Sequence, residues 1–383
     1  MAATYINDHT PILTRLRHTV RRCKDHVWVL EGCEKWTQEP LTIVFAGSRA
    51  NMSFISHLAF SVPPREQYRG TAWLWDRSKK SGTCTLKCNL VVAEVNQALR
   101  YALYGTQGFY LPTWVGVEAD LAVSAARFKQ SKNVKTDIDT IRKGGFSYDV
   151  ATDEQRFDEF YYTMYVPYIA KVYADRAFVT SYDDLKKSLS HSELILVKQG
   201  NEHVSGTMLV YEKGRVRGLS LGVKNGDTNL VRAGAIAASY YFSIIHLIEH
   251  GHKKLHFGAS RPMLRDGVLR FKKKWGINIV DATKKGLCLM PCDKSPGVKS
   301  FFINNPFIYR EKGKFYGGVF SDHQEADDSN FLKRLHKDYY LPGMARMNVH
   351  QFDSGDIAVP DEYTDQIAIK SYNQWWLDHR CLI

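Results

Sequence analysis

Between Gly251 and Gly276 the chain carries eight cations, Lys253, Lys254, Arg261, Arg265, Arg270, Lys272, Lys273 and Lys274, against one anion, Asp266. Charge of this density neutralises phosphates, so the segment suits a phosphate-rich or nucleic-acid ligand bound with salt-sensitive, largely sequence-independent affinity. On a helix, Arg270 and Lys274 share a face and Lys273 lies partly round it. The bland alternative is a solvated basic face. Ser260 and Arg261 offer a hydroxyl and a guanidinium that could orient an acceptor carboxylate. Asp266 reads most simply as a helix N-cap or first-turn residue.

Other constellations are weaker. Cys84/Cys88 and Cys288/Cys292 each enclose three residues, but the first pair lies in a strand-like run and the second flanks Pro291. They read as reduced thiols packed as small hydrophobes, so no metal is expected. His246 and His250 are spaced i,i+4 without the glutamate of a zinc-protease motif and read as structural. Tyr161, Tyr162, Tyr165, Tyr168 and Tyr173 form a stripe that suits core and rim packing or, through Tyr165 and Tyr168, an acceptor platform. The basic run Arg15, Arg17, Arg21, Arg22 and Lys24 suits a solvated face. Gly47–Asn51 turns into a helix but lacks the glycine spacing and lysine of a phosphate loop.

Positioning such residues needs a scaffold, and 383 residues allow two domains or one with large extensions. With 44% hydrophobic and 24% charged residues, disordered, collagen-like and coiled-coil chains are excluded. The net charge of +12 admits polyanionic partners and fixes no chemistry. The first nine residues lack a secretory n- and h-region, Ala233–Ile248 is too short and polar to span a bilayer, and seven cysteines suggest a reducing compartment. A cytoplasmic protein without a transmembrane segment is expected.

From Ser131 onward the pattern predicts, in order, a helix (Val134–Lys143), a strand (Phe146–Val150) and a helix opened by a capping box at Thr152 and Gln155. A short helix at Ser181–Leu189 precedes three strands, Leu194–Lys198, Val204–Tyr211 and Val216–Val223. The long helix Ala233–His250, strand Lys254–Gly258, helix Asp266–Lys274 and strands Ile277–Val280 and Leu287–Met290 follow. Three antiparallel strands leading into a strand–helix–strand crossover predict a mixed α/β sheet with helices on both faces. Where antiparallel pairing gives way to parallel pairing, the flanking strands can splay and open a ligand cleft.

This order, with Lys254-Leu-His-Phe-Gly-Ala-Ser-Arg-Pro262 and Asp266-Gly-Val-Leu-Arg-Phe-Lys-Lys-Lys-Trp-Gly276, resembles the GNAT (N-acyltransferase) superfamily. More narrowly it is similar to the Fem-type aminoacyl-tRNA-dependent transferases (FemAB/FemX-like). The likeness covers about residues 131–290, supported by Lys135–Lys143 and Val204-Ser-Gly-Thr-Met208. It implies two GNAT-like domains: a degenerate one over 1–130, the acyltransferase domain over 131–290, and a C-terminal extension, 291–383, packing on the core.

The resemblance also implies roles. Lys272 would approach the donor's phosphate or developing negative charge, with Phe271 packing beneath. Gly222 and Val223 would offer backbone N–H groups from a bulged strand to the reacting carbonyl. Asp266 would, as its second reading, receive the amine proton, and Trp275 is either core or a base-stacking platform. In Asn229-Leu-Val-Arg-Ala-Gly-Ala235, Val231 and Ile236 depart from the superfamily's coenzyme A loop, while Arg232 can still bind an anion. The reading is therefore a transferase forming an amide from aminoacyl-tRNA and an amine-bearing small molecule, peptide or cell-wall precursor. No tightly bound cofactor is expected; tRNA contacts would come from Arg232, Arg270, Lys273 and Lys274. The alternatives are an acyl-CoA-dependent N-acyltransferase and a non-catalytic binding protein of the same fold.

Overall fold

The computed structural model describes residues 24–73, 87–173, 179–322, 330–352 and 359–379. The expectations for Arg15–Arg22 and for Cys84 lie outside these residues, as do the side chains of Lys24 and Tyr173.

In chain order the strands are β1 (Lys24–Cys33), β2 (Pro40–Gly47), β3 (Arg65–Trp73), β4 (Leu90–Asn96), β5 (Phe109–Pro112), β6 (Val115–Asp120), β7 (Phe146–Ala151) and β8 (Ser192–Gln199). They continue as β9 (Glu202–Glu212), β10 (Arg215–Val223), β11 (Lys254–Ser260), β12 (Ile277–Asp281), β13 (Lys285–Pro291), β14 (Phe307–Glu311), β15 (Lys314–Ser321), β16 (Met344–Gln351) and β17 (Ile367–Ser371). Three sheets result, ordered β3-β1-β2-β4-β13-β5, β12-β6-β11-β10-β9-β8-β7 and β14-β15-β16-β17.

The central seven-stranded sheet is antiparallel except where β10 meets β11 in parallel. Strands β8 and β9 are almost continuously buried because helices cover both faces. Side chains alternate across a strand, so Leu194, Leu196, Met208 and Val210 turn to one face and pack on Phe157, Phe160 and Met164. Ile195, Val197 and Leu209 turn to the other, against Ala235, Ala238 and Ile244 of the helix Ala235–Glu249. Each such fully buried aliphatic side chain stabilises the fold by roughly 1.5–3 kcal/mol. This is the mixed α/β arrangement expected from the sequence, helices on both faces included.

The sheets do not divide where the resemblance places domain boundaries. Strand β6 lies before residue 130 yet sits inside the central sheet, between β11 and β12. Strand β13, which straddles residue 290, pairs with β4 and β5 of the first sheet. The C-terminal segment builds its own sheet, whose Phe307, Phe320 and Phe352 pack against the first sheet's core. Its Ile308, Val319 and Met347 pack beside Val117 and Ile279 of the central one. Helix starts also shift: Asp153 rather than Thr152 caps the helix Glu154–Glu159, accepting from the Arg156 N–H at 2.9 Å. Among the described residues, no helix is long and apolar enough to cross a membrane.

Candidate active site

The parallel pairing of β10 with β11 lasts only two rungs, Val216 with Leu255 and Arg217 with His256. Beyond them β10 bulges between Gly218 and Ser220, and β11 shifts register against β6 between His256 and Ala259. Gly258 takes a left-handed φ of 73°, which a larger residue would adopt at a cost. With no side chain at Gly218 or Gly258 to bridge them, the strands part and a cleft of about 620 Å³ opens. Its walls include Tyr165, Tyr168, Arg232, Gly234, Phe271 and Lys272.

Lys272 is placed by the helix Gly267–Lys273, whose N-cap is Asp266; its carboxylate accepts from the Leu269 N–H at 2.8 Å. Leu269 and Lys272 are this helix's buried residues. Lys272 is 5% exposed, and its Nζ donates to Ala259 O at 3.2 Å and Ser260 Oγ at 3.1 Å. Burial pushes its pKa down to about 8, with Asp266 pulling weakly the other way. An ammonium held at the wall of an apolar-lined cleft acts on nearby negative charge with less solvent screening than it would in water. Phe271 also lines the cleft, its ring edge-on to Tyr240 at 5.1 Å. Trp275 is fully buried and stacks near Tyr240 beneath the cleft, so it is core, not a base-stacking platform. Asp266 caps its helix and is absent from the lining, so its N-cap reading is the one the geometry supports.

The basic motif does not form one electropositive face. Arg270 and Lys273 lie on the far side of the helix beside Asp338 and Tyr339. There Lys273 Nζ donates to Lys337 O at 2.6 Å, and burial pushes its pKa down to about 8. The last helical turn tightens, with Trp275 N–H bonding Lys272 O and Gly276 N–H bonding Lys273 O. Lys274 sits on the cleft side, paired with Asp137 and 4.0 Å above the Phe271 ring. Arg232 lies in the last turn of a short helix, Thr228–Ala233, that stops at the left-handed Gly234. The long helix Ala235–Glu249 starts there without a side-chain cap, and Gly234, Ile236 and Ala237 line the cleft. Unclaimed N–H groups and the helix dipole make such an end an anion site.

Gly222 and Val223 are regularly paired with Gly206 and Ser205, so the bulge falls earlier than expected. The backbone of the π-helical turn Phe160–Tyr165 presses on Gly222, where a Cβ would come within 2.4 Å of Met164 C and Tyr165 N. Gly222 is thus a close-approach residue, and Gly218, Leu219, Ser220 and Leu221 are the β10 residues at the opening. Ser260 is buried as an acceptor for Lys272. Arg261 turns away from the cleft: its Nη1 donates to Asn51 Oδ1 at 2.9 Å and Thr113 O at 3.2 Å, and its guanidinium lies between the Phe54 and Trp114 rings. It joins the first sheet's helix to the central sheet. Tyr165 and Tyr168 do line the cleft, and the Tyr165 hydroxyl is engaged, accepting from Thr180 N–H at 3.1 Å. Sequence reasoning missed Thr207 and Ser220, two buried hydroxyls of the lining; isolated Ser or Thr in an apolar strand beside Gly206 and Gly218 was the available signal.

The strand order and the splayed β10–β11 pair make the central domain a mixed α/β fold with its cleft where antiparallel pairing gives way to parallel. No family model and no curated protein sequence matches the chain. Solved structures that resemble it include FemX, at 12% identity over 68% of this chain and 83% of that one, with a TM-score of 0.35. L-PGS from Bacillus licheniformis aligns at 12% identity over 72% and 88%, with a TM-score of 0.34. A GCN5-related N-acetyltransferase from Kribbella flavida aligns at 12% identity over 52% and 66%, with a TM-score of 0.28.

Proposed function

We propose that the chain is a transferase that forms an amide by moving an aminoacyl group from aminoacyl-tRNA to an amine-bearing acceptor. The observation that carries this reading is the buried ammonium of Lys272 at the wall of an open cleft between β10 and β11. The acceptor nitrogen attacks the ester carbonyl carbon, and the carbonyl oxygen gains negative charge that the Lys272 ammonium stabilises. The ester C–O bond to the ribose then breaks, and the ribose oxygen takes up a proton lost by the amine. No enzyme-bound intermediate is needed. Preorganised charge of this kind is worth on the order of 10²–10³ in rate. The uncapped start of the helix Ala235–Glu249 and Arg232 supply the site for a donor phosphate.

The charged donor and its acceptor, a small molecule, peptide or cell-wall precursor, would meet in the cytoplasm. The same helix end suits the pyrophosphate of an acyl-CoA, which is the second reading. The test is transfer of a labelled amino acid from synthetase-charged tRNA to amines in a cell extract, with and without RNase, beside an acyl-CoA panel. RNase-sensitive amide product supports the proposal. RNase-insensitive product with thiol release replaces the donor, and no product in either arm overturns transfer altogether.

A further inference from the structure

A second basic surface borders the cleft, on the helices Leu121–Gln130 and Lys132–Lys143. Val134 and Ile141 are the buried residues of the second helix, and Lys132, Lys135, Arg142 and Lys143 lie about a quarter-turn or more round the axis from them. All four are exposed, as is Lys129 at the end of the first helix. The side chains of Lys129, Lys132, Lys135 and Lys143 have no hydrogen-bond or ion-pair partner among the described residues. The two helices hold only two carboxylates, and both are taken: Asp137 pairs with Lys274, and Asp139 with Arg142 at 3.5 Å. Arg127 extends the surface. Its Cδ and Nε lie 3.1 Å from where a Gly276 side chain would begin, so the glycine lets it lie across the chain just after the Lys272 helix. Like charges gathered in this way repel one another, and a polyanion laid over them relieves the repulsion.

Continuity with the cleft points to the partner. Asp137 and Thr140, on the flank of the same helix, line the cleft, and Thr140 Cγ2 lies 3.3 Å from where a Gly234 side chain would begin. The exposed Arg232 and the uncapped start of the helix Ala235–Glu249 thus adjoin Thr140, three residues before Lys143. From Lys143 back to Lys132 the helix runs roughly 16 Å, long enough to meet several phosphates of a strand. Its exposed residues are Lys, Arg, Asn, Thr and Asp, with no apolar side chain to enter a lipid surface and no ring to stack on a base. We infer that the outward faces of Leu121–Gln130 and Lys132–Lys143 dock the phosphate backbone of a structured RNA whose end enters the cleft. This rests on the transferase reading above, adds where the donor's RNA lies, and moves its contacts from Arg270 and Lys273 to these two helices. Contacts to phosphate position an RNA without reading its sequence.

The experiment follows binding of fluorescein-labelled, uncharged tRNA to the full chain by anisotropy, between about 50 and 200 mM salt. The test variant is Lys129→Gln/Lys132→Gln/Lys135→Gln/Lys143→Gln. A control of equal charge, Lys87→Gln/Lys213→Gln/Lys312→Gln/Lys314→Gln, alters exposed lysines on other elements. Vesicles of phosphatidylcholine and phosphatidylglycerol are the competing probe. The test variant should bind tRNA at least about tenfold more weakly, with a log–log salt slope shallower by about 3 to 4, while the control stays within about threefold. Equal melting temperatures show that both variants fold. An unchanged test variant, or an equal loss in the control, overturns this surface and leaves the tRNA donor standing. Loss confined to the test variant, in a chain that transfers only from acyl-CoA, keeps the surface and overturns the donor. No tRNA binding by the unaltered chain, or binding to the vesicles alone, overturns both.

Discussion

Lys272 Nζ lies 3.1 Å from Ser260 Oγ, so the end of β11 and the following helix meet through one buried hydrogen bond at the cleft wall. The bond holds the ammonium at the point where the strands separate. With its pKa pushed down to about 8, Lys272 is mostly cationic at neutral pH. The cation is the acting form, so kcat should fall as pH rises through about 8. Lys272→Met, which keeps much of the buried volume, should lower kcat on the order of 10²–10³-fold and abolish that alkaline limb. Ser260→Ala removes one of two acceptors and should cost about tenfold or less. A pH–rate series on the three proteins checks this.

Arg261 predicts a stability effect. Its guanidinium donates to Asn51 and Thr113 and lies 4.2 Å and 4.1 Å from the Phe54 and Trp114 rings. Burial lowers its pKa to about 10, which leaves it charged at neutral pH. Arg261→Ala should destabilise by about 2–4 kcal/mol through lost charged hydrogen bonds and cation–π contact. Arg261→Lys should recover little, since a point charge cannot fill a planar slot between two rings. Urea unfolding measures both.

His350 predicts an acid limit. It is fully buried, its ring nitrogens have no partner among the described residues, and Phe109, Phe320 and Trp375 surround it. Burial pushes its pKa down to about 3, below the ordinary 6.5. The unfolded chain therefore binds the proton more tightly than the folded one. Its contribution to stability is intact above pH 6.5 and is lost progressively as pH falls from there towards 3. Replacing it with Phe should flatten the dependence of melting temperature on pH across this window; an unchanged slope would assign the acid limit to other groups.

Cys88 and Cys292 predict a redox cross-link. Their sulfurs are 3.7 Å apart, and the Cys292 N–H bonds Asn89 O at 2.9 Å, which fixes the two segments together. The hydrogen bond from Cys292 lowers the Cys88 thiol's pKa, favouring the reactive thiolate. Oxidised glutathione should convert this pair to a disulfide, releasing two molecules of reduced glutathione. Alkylation and peptide mapping should find these two cysteines protected together, and Cys292→Ser should leave Cys88 alkylated.

The sequence made the central sheet readable because its signals are local. The apolar run of β8, the short turn that joins it to β9, the glycine after the long helix and the Asp266 cap each depend on neighbours within a turn or a hairpin. The site was half readable for the same reason. Lys272 follows from its motif, but the bulge at Gly218 depends on how β11 leaves β10, and Gly222 is small because a π-helical turn presses on it. Arg261 finds Asn51 210 positions away, a pairing no local pattern encodes. Strand β13 joins the first sheet through pairings of the same long range, with β4 and β5. The cationic helix divided between two sides because its far side meets the C-terminal segment around Asp338, which carries no signal of its own.

The most direct test is a crystal structure with a non-hydrolysable aminoacyl-adenosine in which an amide replaces the ester. The account predicts its carbonyl oxygen within hydrogen-bond reach of Lys272 Nζ, between the parted ends of β10 and β11. An analogue seated elsewhere, with Lys272 still bonded only to Ala259 and Ser260, would contradict it.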